Sequence, residues 1–62
     1  MREKAYKVYF ELQRKVTEER GNVKLARSTK NELLKMEAEC NIRAHQYAMN
    51  LLIKEFSLTF ND

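Results

Sequence analysis

Cys40 and His45 belong to the residue types that attack carbonyls or hold metal ions, and their spacing decides whether they can act together. Residues five apart on a helix point in widely different directions, so thiol and imidazole do not meet. The di-metal pattern of helix bundles needs Glu three positions before His, and Ile42 stands there instead. Glu37 and Glu39 face apart on a helix and form no acid–base pair. No catalytic, metal-binding or cofactor-binding constellation is read from these residues. The chain is expected to be non-enzymatic, with no cofactor and no small-molecule substrate.

Charge is more informative. Between Glu19 and Glu32 the chain has no acidic residue, while Arg20, Lys24, Arg27 and Lys30 all fall in that interval. Four positive charges around a hairpin tip, beside the free amides at a helix N-terminus, make a surface suited to phosphate or nucleic acid. A run of this length is also what an ordinary solvated loop carries. Overall, twelve basic residues against nine acidic ones leave a net charge of +3, with both signs interspersed. That excess permits contact with nucleic acid without requiring it.

The elements that position these residues are helices. The chain has no Pro and a single Gly, and it is rich in Lys, Glu, Leu, Ala, Arg and Met. At 62 residues it makes one domain at most, in the range where a single core is marginal and oligomerisation is common. From Arg2 to Arg20, Ala5, Val8, Tyr9, Leu12 and Val16 recur at helical spacing, with Tyr6 and Phe10 widening the stripe. Glu3, Lys7, Glu11, Lys15 and Glu19 form a ladder of opposite charges four apart on the outer face. Gly21-Asn22 is the pair that most readily takes positive φ, which predicts a left-handed cap there. Thr29-Lys30-Asn31-Glu32 has capping-box form and predicts the start of a second helix, with Leu25 covering the turn end of the core. The expected layout is an all-α antiparallel hairpin: helix 1 over about 2–20, a turn over about 21–28 and helix 2 over about 29–58. Ser57-Leu58-Thr59-Phe60 alternates and suits a short extended tail, although Phe60 four residues after Phe56 also suits continued helix. Asn61 and Asp62 read as a frayed end.

Helix 2 carries two apolar seams. Leu33, Met36, Cys40, Ala44, Tyr47, Leu51 and Leu58 form the first; Ile42, His45, Met49, Leu52, Phe56 and Phe60, with Ile53 at the edge, form the second. A first helix of about nineteen residues spans roughly 28 Å and a second that continued from Thr29 to Phe60 roughly 48 Å, so the greasy end of helix 2 should overhang. A second copy is the simplest cover. The expectation is a four-helix homodimer whose long helices cross antiparallel along the second seam and which goes on to bind another protein; the alternative is a nucleic-acid-binding hairpin dimer working through the basic turn. On that seam His45 is either a register-setting polar group between copies or a partly exposed imidazole satisfied by Asn41 or Glu37. A lone cysteine on an apolar seam reads as a buried thiol. With no secretory leader pattern and with Lys54 and Glu55 interrupting the most apolar stretch, a cytoplasmic protein without a membrane span is expected.

Overall fold

The computed structural model describes residues 2–60, and Asn61 and Asp62 lie outside the described residues. Two helices, α1 (Arg2–Thr29) and α2 (Glu32–Phe56), fold against each other as an antiparallel hairpin, with no strand among the described residues. The fold class is as the composition implied. The place of the turn is not.

α1 runs straight through Gly21 and Asn22 for 28 residues, and the chain reverses at Lys30-Asn31. The apolar spacing that ends at Val16 in a short helix continues through Val23 to Ala26, and Ala26 is buried while Val23 is half-buried. Seating both against α2 outweighs the roughly 1 kcal/mol that a mid-helix glycine costs relative to alanine. Asn22 makes no cap; its side-chain amide donates to Glu19 Oε1 at 3.1 Å. Leu25, expected to cover the core, is 54% exposed, and the small Ala26 takes that place.

The turn itself is built from backbone hydrogen bonds. Lys30 adopts φ 55°, its N–H donates to the Arg27 carbonyl at 3.3 Å, and the Asn31 N–H donates to the Ala26 carbonyl at 2.8 Å. This pair of bonds is a Schellman termination with lysine in the left-handed position. Asn31 then caps α2, its side-chain oxygen accepting from the Leu34 N–H at 3.1 Å. The capping box expected at Thr29 is absent because the Thr29 hydroxyl is donating backward to the Leu25 carbonyl at 2.9 Å.

A paired substitution tests this turn. An added Cβ at Gly21 meets nothing within 4 Å. Gly21→Ala is therefore expected to stabilise by about 0.5–1 kcal/mol, and Lys30→Gly, which relieves the left-handed strain, by a similar amount. Urea denaturation measures both. If the chain reversed at Gly21-Asn22 instead, Gly21→Ala would destabilise and Lys30→Gly would gain nothing.

Helices of 28 and 25 residues span roughly 42 and 38 Å, so neither overhangs the other. The premise that made the second seam a dimer interface is therefore gone. Ile42, His45, Met49, Leu52 and Ile53 are half-buried on the face of α2 turned to α1, and Phe56 sits at the end of that face, 37% exposed. Phe60 belongs to the tail. It is the first seam, from Leu33 to Leu51, that faces outward, because these residues lie about half a turn from Ala38, which is buried against α1; its last member, Leu58, lies beyond the helix and is buried.

The chain ends with a strap. Ser57 takes φ 50°, and the Leu58 N–H donates to the Ile53 carbonyl at 3.2 Å, a second termination of the same kind. Leu58 is buried beyond the helix end, and Phe60 reaches the aromatic side chains of α1, with ring centroids 4.5 Å from Tyr9 and 5.7 Å from Tyr6. The Thr59 N–H donates to the Tyr6 hydroxyl oxygen at 3.1 Å while that hydroxyl lies 3.0 Å from the Thr59 carbonyl, which can accept from it. The same Thr59 amide holds the Tyr6 phenol below its usual pKa. The helix does not continue through these residues: it ends at Phe56, and Ser57 is left-handed rather than extended.

The interior is thin. Ala5, Val16, Ala26, Ala38 and Leu58 are the buried apolar residues among those described, and three of the five are alanines. Small side chains let the two helices approach closely, but two layers of helix leave no enclosed volume for large ones.

Candidate functional site

Arg20, Lys24 and Arg27 stand four and three residues apart, which places them on one face of α1. In the hairpin that face borders an open groove of about 480 Å³ between the helices, with Val23 and Ile42 supplying apolar lining. Arg43 enters the groove from α2 as a fourth cation, and Glu39 is its one carboxylate. Among the described residues, none of the four cations takes part in an ion pair. Lys30, grouped with the other three in the sequence, lies in the left-handed turn and does not line the groove.

Arg43 escaped the sequence reading because it stands alone between Ile42 and Ala44. Its signal is the register of the hairpin. The Asn41 side-chain amide donates to Glu19 Oε2 at 3.1 Å, which sets the residues around position 41 opposite those around position 19. A reversal at Lys30-Asn31 gives that pairing; a reversal at Gly21 does not.

The charged face of α1 is paired differently from the expected ladder. Arg14 bridges Glu11, at 3.0 Å, and Glu18, and among the described residues the Glu3, Lys7, Lys15 and Glu19 rungs form no ion pair. The Arg14 guanidinium holds the Glu11 carboxyl below the usual range, and Glu11 in turn raises Arg14. Both side chains are exposed, so the pair belongs to a solvated surface. Glu19 is occupied by Asn22 and Asn41 instead.

The second candidate surface is the outward face of α2. Leu33 is 77% exposed, Met36 63%, Tyr47 67% and Leu51 41%. Cys40 and Ala44 lie between them and are exposed as well, so the thiol read as buried is open to solvent. Large apolar residues at both ends and small ones at the centre make a continuous stripe along most of the helix. His45 is half-buried and turned the other way, toward α1, so it does not reach Cys40 or the stripe. Among the described residues, no three His, Cys, Asp or Glu gather as a metal ligand set. No helix among them is long and apolar enough to cross a membrane. No protein-family model matches the chain, and neither the curated proteins nor the solved structures give a match.

Proposed function

We propose that this chain is a small non-enzymatic interaction protein that pairs with a second copy through the outward face of α2 and, as a four-helix assembly, binds another protein. The observation that carries the reading is the exposed stripe from Leu33 to Leu51. Natural monomers scatter exposed apolar residues singly, whereas a continuous stripe marks a contact surface.

The stripe is its own complement when two copies run antiparallel. Leu33 meets Leu51 of the other copy, Met36 meets Tyr47, and Cys40 meets Ala44, so bulk falls at the ends and small residues at the two-fold axis. Glu32 and Lys54 lie on one edge of the stripe near its two ends, and antiparallel pairing brings opposite charges together there. Area agrees with pairing. The surface of 5171 Å² exceeds by about 1,000 Å² the roughly 4,200 Å² expected of a compact monomer of 7.4 kDa. A standard interface takes about 800 Å² from each partner.

Light scattering at micromolar concentration tests the reading. The expected mass is twice the 7.4 kDa of one chain. A well-folded monomer would overturn the self-association.

A further inference from the structure

We infer that the groove between Arg20, Arg27 and Arg43 is a docking site for an acidic amphipathic helix of a partner protein. The inference rests on the reading of the chain as an interaction protein but not on its pairing with a second copy.

The groove has the two properties such a helix demands. Its lining includes Val23 from α1 and Ile42 from α2, one apolar residue from each helix, which accept an apolar side chain between them. Around them stand Arg20, Lys24 and Arg27 along one wall and Arg43 on the other. From Arg20 to Arg27 the wall runs seven residues, roughly 10 Å, or two helical turns. A helix laid along it presents carboxylates at the same spacing of three and four residues, and the guanidinium groups donate to them in bidentate fashion. The fold supplies a further reason. Two helices make a hairpin with no interior, and a third helix seated in the groove gives Val23 and Ile42 the cover that the monomer does not.

A phosphodiester backbone fits less well. It offers nothing apolar to Val23 and Ile42, and among the described residues no aromatic side chain lines the groove for a base to stack on. The aromatic residues Tyr6, Tyr9, Phe10 and Phe60 are engaged with one another at the other end of the hairpin.

The test uses three probes on the full chain: a synthetic helix of three heptads with Leu on its core face and Glu on both flanks, the same peptide with Gln for every Glu, and single-stranded oligothymidylate. Fluorescence anisotropy is read on the wild type and on two variants with the same change in net charge. Arg20→Glu with Arg27→Glu alters the groove; Lys7→Glu with Lys15→Glu alters α1 outside it. Circular dichroism confirms that each variant is folded. The Glu peptide is expected to bind at least about tenfold more tightly than the Gln peptide, and the groove variant to lose at least about tenfold while the control variant loses little. Equal binding of the two peptides, equal loss in both variants, or tighter binding of oligothymidylate than of the Glu peptide would each overturn the inference. Monomeric chain that still binds the Glu peptide would remove self-association and leave the groove assignment standing.

Discussion

With Leu33 and Tyr47 both replaced by glutamate, the chain is expected to run as a 7.4 kDa monomer with its helix content intact. The two side chains are 77% and 67% exposed in the single hairpin, so the folded monomer loses almost nothing when they change. In a two-fold pair each substitution acts twice, placing four carboxylates where apolar surface met apolar surface. Burying a large apolar side chain stabilises by roughly 1.5–3 kcal/mol, and losing even half of that at four positions weakens association about a hundredfold to ten-thousandfold. Leu52→Glu is the instructive contrast. Leu52 is half-buried on the face toward α1, and a carboxylate there lowers the stability of the hairpin itself by about 2 kcal/mol or more. Light scattering and circular dichroism separate the two outcomes: dissociation with helicity kept for the outward pair, and loss of helicity for Leu52. Dimer mass retained by the double glutamate variant would sink the outward interface, and helicity lost in it would show that the stripe packs within one chain.

The helices were legible because the absence of Pro and the periodic apolar residues leave no other element to form. What the local signals misplaced was a single turn, and the consequence spread along the chain. Gly21-Asn22 tolerates positive φ without needing it, whereas Lys30 is driven there by the closing bonds that its own N–H and that of Asn31 donate to the Arg27 and Ala26 carbonyls, at the cost of its Cβ. Local preference chose the pair that could turn easily; packing chose the turn that lets Val23 and Ala26 lie against α2. Once helix 1 is read as short, helix 2 overhangs and the seams exchange roles. The residues that decide the matter are alanines. Ala26 and Ala38 are each 1% exposed, and they set which faces touch because small side chains allow the closest approach of two backbones. Ala38 lies outside the spacing of both seams as read from the larger residues, and it is the position that decides which face packs.

The candidate groove was half legible for the same reason. Arg20, Lys24 and Arg27 stand out in the sequence as cations in an interval without carboxylates, and a continuous helix carries them to one face. Lys30 and Arg43 trade places as members of the cluster once the reversal is moved to Lys30-Asn31. Cys40 changes character with it, from a buried thiol to an exposed one on a surface that a second copy would cover.

Removing bulk from the strap is expected to cost more than any other change in the interior. Leu58 is 5% exposed and is the largest of the five buried apolar residues among those described, the others being Val16 and three alanines. Leu58→Ala should destabilise by about 2–4 kcal/mol, the lost burial of the side chain adding to the cost of the cavity left behind. That is a large share of the stability available to a domain of this size, about 3–5 kcal/mol from a single core. The effect extends past the one side chain. Leu58 anchors the left-handed turn at Ser57, and the turn delivers Phe60 to Tyr6 and Tyr9 and the Thr59 backbone to the Tyr6 hydroxyl. Loosening the anchor therefore frees the first two turns of α1 as well as the last turn of α2, while the turn at Lys30-Asn31 keeps its own bonds. Hydrogen exchange should show this as lost protection at the open end of the hairpin, accompanied by a lower urea midpoint. A variant whose midpoint moves by less than about 1 kcal/mol equivalent, with protection at Tyr6 and Tyr9 unchanged, would mean that the strap is not what closes this end.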